Sequence, residues 1–378
     1  MASPLAKSLA TLVLGAAMVS SPVAAQTIKL DRVDAPPTLA ALPMHTGGRM
    51  LALKNENGNP VFRYQWPGVY FAATFTGPEV YFKTGPGDAI LHVLVDDQPA
   101  LPLVKPGLGV FRVGGLSAGA HTIRIEVVTE SQSAPMDFGG FATADERSAG
   151  APLHSAARQI EFIGDSHTVG YGNTSTKRQC TSAEVWATTD SSQAFGVLTA
   201  KHYGADYQIN AISGRGIVRS YNGAPVDPLP VVYPYVLFDL KQAAVADKTW
   251  QPQIIVVALG TNDFSTPLHA GEPWKTREDL RTDFEHTYVR FIQQIRAGNP
   301  GAFFILAAND QADGEIQAEV QKVIEQLRAT GEKRVDFMAF NGLQLTGCDW
   351  HPSLADHDLM AALLRQFLDV RPELWQGR

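Results

Sequence analysis

One change of texture governs what this chain can fold into, and it falls near residue 150. From Val69 to about Ala142, short stretches of β-branched and aromatic residues run in near-alternation: Val69–Phe75, Glu79–Thr84, Ile90–Val95 and His121–Val128. Turn residues punctuate them at Gly77-Pro78, Gly85-Pro86-Gly87, Lys105-Pro106-Gly107 and Gly114-Gly115. Short strands at this spacing predict an antiparallel sandwich or barrel. A small-residue, charged stretch between Ala144 and Pro152 reads as a linker or domain edge. Beyond it the pattern becomes strand–helix alternation. Ile160–Ile163, Tyr207–Ile212, Ile254–Leu259, Phe303–Ala307 and Val335–Phe340 are continuous apolar runs, as strands covered on both faces require. Helical stretches are expected at Ser191–Tyr203, Thr276–Arg296, Gly314–Ala329 and Leu354–Leu368. In the second of these, Phe284, Tyr288, Phe291, Ile292 and Ile295 form an apolar stripe at helical spacing. The expected fold is α/β: a doubly wound parallel sheet over 151–378, preceded by an antiparallel β domain over 26–150. Ligands of such a sheet sit beyond the carboxyl ends of its strands.

Residues 1–25 stand apart. Lys7 and the N-terminal amine precede an apolar run from Leu9 to Val19, and Val23, Ala24 and Ala25 place small residues before Gln26. This is the pattern of a secretory signal peptide cut after Ala25, a retained anchor being the alternative. The run is too short to span a bilayer, and no later stretch reaches the ~20 apolar residues needed. The expected location is therefore the periplasm or the exterior, with no membrane attachment after cleavage, in a compartment where disulfides persist. The two cysteines, Cys180 and Cys348, are too few for a structural zinc site. They are expected to pair, two separate buried thiols being the other reading. A formal net charge of −7, from 31 Lys+Arg against 38 Asp+Glu, argues against a broad basic field for nucleic acid or anionic membrane. Nothing in the sequence sets the oligomeric state.

Four segments at strand ends carry chemistry. In Ile163-Gly164-Asp165-Ser166-His167, Gly164 allows a sharp turn that presents the Ser166 hydroxyl, and a helix start beside it would stabilise negative charge. An Asp-Ser helix cap is the plainer use of the same residues. In Asn210-Ala211-Ile212-Ser213-Gly214-Arg215-Gly216, a glycine lets a backbone N–H approach a ligand closely. In Ala258-Leu259-Gly260-Thr261-Asn262-Asp263, the Asn262 amide is a candidate oxyanion donor, with an Asx-turn as the alternative. In Cys348-Asp349-Trp350-His351-Pro352, His351 is the best candidate base among ten histidines. His45, His92, His121 and His154 lie outside the α/β part, His202 and His286 fall inside helices, and His167 cannot turn back easily to the hydroxyl of its neighbour. Trp350 and Trp186 are candidates to stack on a sugar face, or else pack in the core. Asp263 either touches substrate or hydrogen-bonds around the Ser166 turn, and Arg215 fits a surface ion pair better than a sugar contact.

Taken in order, Gly-Asp-Ser, Gly, Gly-Thr-Asn-Asp and Asp-x-His-Pro resemble the SGNH (GDSL-type) hydrolases over roughly residues 158 to 370. The resemblance implies a nucleophile at Ser166, oxyanion donors at Ser166, Gly214 and Asn262, and a base at His351. The N-terminal part, with Trp66-Pro67-Gly68 and Leu94-Val95-Asp96-Asp97, is similar to carbohydrate esterase family 2. That likeness implies a three-layer α/β/α hydrolase domain behind a small, jelly-roll-like β-sandwich. It also implies removal of acetyl groups from plant polysaccharides or sugars such as xylan and glucomannan, often at the 6-hydroxyl, without metal or organic cofactor. One position departs from the broader pattern. Cys348 stands three residues before the histidine, where the acid usually sits, and Asp349 stands two before. The group orienting His351 is thus either Asp349 or a backbone carbonyl. Two rival readings stay open. One is the same serine chemistry on another ester (lipase, thioesterase or acetyltransferase). The other is a carbohydrate-binding protein with a silent site, which the intact set Ser166, Gly214, Asn262 and His351 argues against.

Overall fold

A computed structural model of the chain describes residues 28–96, 98–243 and 249–376. The expected signal peptide and Asp97 lie outside the described residues. Two antiparallel sheets form the N-terminal part. One joins Lys29–Arg32, Gly109–Gly114, Glu79–Thr84, Met136–Thr143, Pro60–Tyr64 and Met50–Lys54 in that order, with Ala40–Ala41 paired to Met136–Thr143. The other runs His45–Gly47, Tyr70–Thr76, Ala120–Val127, Ile90–Val95, Leu101–Val104. Between them, Phe71, Phe75, Phe82, Phe138 and Phe141 fill the core with rings, Phe71 and Phe138 stacking at 4.1 Å between centroids. The expected strands from Glu79 and Ile90 keep their bounds; those expected from Val69 and His121 shift by one residue. The segment expected as a linker is pinned: Gly150 N–H donates to the Thr74 carbonyl, and Thr74 Oγ1 to that of Ala151.

The C-terminal part is a parallel sheet ordered Asp206–Ala211, Gln159–Gly164, Ile254–Ala258, Phe303–Asn309, Val335–Phe340. Alternate residues of each strand feed opposite faces. Ile160, Phe162, Ile254 and Val256 meet the helices Phe195–His202 and Leu354–Asp369 on one side. Ile163, Ile255 and Val257 meet Arg277–Gly298 and Glu315–Ala329 on the other. The three layers follow from strands apolar on both faces. Because the first strand sits second in the sheet, the chain reverses direction across it, so its carboxyl end opens a crevice.

The sandwich packs against the parallel sheet's edge strand and the segment beyond it. Trp66, fully buried, donates from Nε1 to the Tyr235 carbonyl at 2.9 Å and joins the core beneath the Arg277–Gly298 helix. Asp206 Oδ1 accepts from the Tyr70 hydroxyl at 2.6 Å and lies 2.9 Å from His45 Nε2. Among the described residues, no helix is long and apolar enough to cross a membrane.

Candidate active site

The first strand ends at Gly164, where a Cβ would lie 2.0 Å from Thr168 Oγ1 and 3.1 Å from the Ala258 carbonyl, so only glycine fits the turn. Asp165 then caps a one-turn helix, Ser166–Val169, its Oδ1 accepting from the His167 N–H at 3.0 Å. Burial pushes the Asp165 carboxyl up to about 7 against the pull of that amide. Ser166 thus stands at the first helical position, only 5% exposed, and the amides that follow it are taken up by Asp165, whose Oδ1 accepts from His167 and whose carbonyl accepts from Thr168 and Val169 at 2.9 and 3.0 Å.

His351 comes to meet it from 185 residues away: Nε2 lies 2.8 Å from Ser166 Oγ. On its other side, Nδ1 faces the carbonyl oxygens of Cys348 at 3.0 Å and Asp349 at 3.1 Å. A carbonyl only accepts, so the proton of a neutral ring sits on Nδ1 and Nε2 is left to accept from the serine. Of the two candidates left open for this position, the backbone takes it. The Asp349 carboxylate instead accepts from the Tyr171 hydroxyl at 3.0 Å, because Asp349 and Trp350 adopt left-handed backbone (φ 51° and 58°) in a tight turn. Asp349 is therefore corrected as a side-chain member of a triad. The Tyr171 ring lies against the imidazole, centroids 4.2 Å apart, and the His167 ring meets it edge-on at 5.3 Å. Burial holds the His351 pKa below the ordinary histidine value, the two carbonyls and the Asp349 charge pulling the other way. Burial holds His167 well below it too.

Gly214 adopts φ +80° with nothing within 4 Å of where a Cβ would stand. Among the described residues, neither its N–H nor that of Ser166 has a protein acceptor. Asn262, buried on the turn after the third strand, donates from Nδ2 to Asp165 Oδ2 at 3.2 Å and to the Arg215 carbonyl at 3.0 Å. It ties the serine turn to the glycine loop, and both of its hydrogens are engaged in this arrangement.

Of the two roles left open for Asp263, the hydrogen-bonding one fits its surroundings: it is fully buried, and its oxygens accept from the amides of Ile217, Val218 and Arg219 at 2.9–3.0 Å, shaping the loop after Gly214. Burial pushes its carboxyl up to about 6, and those three amides pull it down. Among the described residues Arg215 makes no ion pair; it donates to the Asp227 carbonyl at 2.6 Å. Trp350 is 54% exposed beside His351, which excludes core packing. Trp186 lines a cavity of about 410 Å³ with Tyr171 and Ser213, and the Lys105 ammonium covers its ring at 4.6 Å. Cys180 and Cys348 are joined by a disulfide, and Cys348 is fully buried. The bridge fastens the insertion after Ser166 to the His351 loop, helped by Arg178, which donates to the carbonyls of Gln344 and Leu345 at 2.9 Å. Among the described residues, no group of three or more His, Cys, Asp or Glu side chains is placed to hold a metal ion.

Sequence reasoning missed Tyr171 and Glu130, the second a sandwich residue whose carboxylate accepts from the Ser213 amide at 2.7 Å. For Tyr171 a weak signal existed, an aromatic one turn past the serine; for Glu130 there was none.

The arrangement has counterparts in known proteins. Residues 52–152 match the family model for the carbohydrate esterase 2 N-terminal domain, and residues 162–365 that of the GDSL-like lipase/acylhydrolase family. An acetylxylan esterase / glucomannan deacetylase of Cellvibrio japonicus (strain Ueda107) is 46% identical over 335 residues, 88% of this chain and 92% of that protein. A solved carbohydrate esterase, described by divergent catalytic and non-catalytic binding functions of its active site, superposes with a TM-score of 0.85 at 45% identity, covering 89% of this chain and 100% of that one. A family two carbohydrate esterase from Clostridium thermocellum, solved with cellohexaose, gives a TM-score of 0.76 at 27% identity, covering 88% and 99%. With most of its length matched on both sides of residue 150, the chain belongs to carbohydrate esterase family 2 and, through its C-terminal part, to the GDSL-like lipase/acylhydrolase family.

Proposed function

We propose that this protein is a serine-dependent carbohydrate O-acetyl esterase acting on acetylated plant polysaccharides or oligosaccharides of the xylan and glucomannan type. One observation carries the reading: His351 Nε2 stands 2.8 Å from Ser166 Oγ, within proton-transfer reach, beside two unpaired amides. Ser166 Oγ attacks the acetyl carbonyl as His351 Nε2 takes its proton. The carbonyl oxygen becomes an oxyanion held by the Ser166 and Gly214 N–H groups, and by Asn262 once it releases one of its bonds. The Cys348 and Asp349 carbonyls stabilise the imidazolium through Nδ1–H. His351 then protonates the leaving sugar oxygen, and water, activated by the same nitrogen, hydrolyses the acetyl-serine. No step calls for a cofactor. Trp350, exposed at the rim, offers a face for a pyranose ring.

Residues 26–150 serve in this reading as a sandwich domain and 151–378 as the catalytic domain. Residues 1–25 act as a signal peptide that delivers the chain to the periplasm or exterior, a destination that the Cys180–Cys348 disulfide supports. The test is acetate release from acetylated xylan and glucomannan by the wild type and by Ser166→Ala. The wild type is expected to release acetate and the folded variant essentially none. Equal release by both would refute the assignment, and preference for long-chain acyl esters would move the substrate class.

A further inference from the structure

We propose that Glu130, carried by the β-sandwich, is a positioning residue for the oxyanion-binding amide of Gly214; the inference rests on the esterase reading above. It starts from an accounting of the backbone polar groups in the loop Ser213–Arg215. The Ser213 N–H donates to Glu130 Oε1 at 2.7 Å, and the Ser213 carbonyl accepts from Gln132 Nε2 at 3.2 Å. The Gly214 carbonyl accepts from the Tyr221 N–H at 2.8 Å. The Arg215 N–H donates to the Ile212 carbonyl at 3.3 Å, and its carbonyl accepts from Asn262 at 3.0 Å. Among the described residues, the Gly214 N–H alone of these six groups has no partner.

The backbone groups of the loop are therefore all engaged except the one amide that the esterase reading assigns to the oxyanion. Two of those bonds come from the other domain, across sequence separations of 83 and 81 residues. Gly214 has no side chain to pack and open space around its Cα, so packing at that position does not fix its direction. The peptide plane between Ser213 and Gly214 is set through the Ser213 carbonyl, and the residue before it through a carboxylate. Charge-assisted bonds of this kind are about twice as strong as neutral ones. Gln132 Nε2 also donates to Glu130 Oε1 at 3.1 Å, making a closed three-membered set with Ser213. An oxyanion donor works only within a few tenths of an ångström of its place, so a loop freed on the sandwich side loses transition-state contact before it loses fold.

The experiment compares the full-length wild type with Ser166→Ala, Glu130→Ala, Glu130→Gln and Gln132→Ala. Thermal unfolding is followed, and kcat and KM for p-nitrophenyl acetate are measured where every variant is folded. Glu130→Ala is expected to lower kcat by about tenfold or more with KM within about twofold, the signature of an interaction made in the transition state. Glu130→Gln keeps an acceptor for the Ser213 amide and should recover most of the loss. Gln132→Ala should lower kcat less than Glu130→Ala does. A wild-type kcat in folded Glu130→Ala, or a change confined to KM or to melting temperature, overturns the proposal. Should Glu130→Ala fail to fold, Gln132→Ala decides: a lowered kcat at constant KM supports the role, and an unchanged kcat overturns it. Ester cleavage by Ser166→Ala would instead overturn the esterase reading itself, whatever the Glu130 variants do.

Discussion

The Nδ1 atom of His351 lies 3.0 Å from the carbonyl oxygen of Cys348, while the neighbouring Asp349 carboxylate turns away to the Tyr171 hydroxyl. The imidazole is thus oriented by the main chain, which no side-chain substitution removes. In enzymes that use a Ser-His-Asp triad, replacing the acid by its amide lowers kcat by about 10⁴. Asp349→Ala is expected to stay within about tenfold of the wild-type kcat, since the tautomer is set without it. Steady-state kinetics on an acetyl ester check this. A loss approaching that of Ser166→Ala would return the carboxylate to the triad.

The same burial sets a pH dependence. In the proposed mechanism His351 acts as a base in its neutral form, and burial holds its pKa below 6.5. A lowered pKa extends the neutral form to more acidic solution, so the limb of kcat/KM that His351 sets should lie below pH 6.5, separate from any step near 7 from the Asp165 carboxyl that caps the serine turn. The Asp349 charge pulls that pKa upward, so Asp349→Asn should move the acidic limb lower still. A His351 limb lying above pH 6.5 in the wild type, or one moving upward in the variant, would contradict the assignment.

The parallel strands were legible because burial on both faces leaves a continuous apolar run. Each was expected within two residues of its observed bounds, Val335–Phe340 without change. The sandwich was half legible. Lys29–Arg32 is largely charged, Leu101–Val104 contains Pro102, and Ala40–Ala41 has two residues, so these strands owe their extended form to partners and not to pattern. Ser166, Gly214, Asn262 and His351 could be singled out as candidates because each follows a strand end or a break before a helix. Tyr171 and Asp349 meet across 178 residues, and Glu130 and Ser213 across two domains; no local period encodes such contacts. Asp263 stayed open between two roles because an Asp beside a candidate site residue looks the same in sequence whether it faces solvent or three buried amides.

Cys348 both carries the carbonyl that faces His351 and anchors the disulfide to Cys180. Closing a loop across a separation of 168 residues is worth about 5 kcal/mol in the chain-entropy model. Reduction, or Cys180→Ser, should lower the melting temperature. It should also lower kcat several-fold at temperatures where the fold persists, by loosening the histidine loop. Activity measured before reduction, after it and after reoxidation, with thiols counted at each stage, tests both effects. Full activity in a reduced, folded sample would show that Arg178 and the hydrogen bond from the Cys348 N–H to the Gly172 carbonyl, at 3.3 Å, hold the loop unaided.

Trp66 belongs to the sandwich by sequence and to the core of the α/β layer by contact, its ring edge-on to Phe238 at 5.1 Å. A side chain that completes another domain's core makes the two unfold together, so calorimetry on the wild type should give one cooperative transition. Trp66→Ala leaves a cavity and takes the Nε1 donor from the Tyr235 carbonyl; the cost for a buried Trp is about 3–5 kcal/mol. Trp66→Phe keeps most of the ring and loses the N–H, at about 1–2 kcal/mol. The alanine variant is expected to uncouple the domains into two transitions, and the phenylalanine variant to melt earlier but once. Two separate transitions in the wild type would mean that this contact, with the Tyr70–Asp206 bond beside it, does not join the domains thermodynamically.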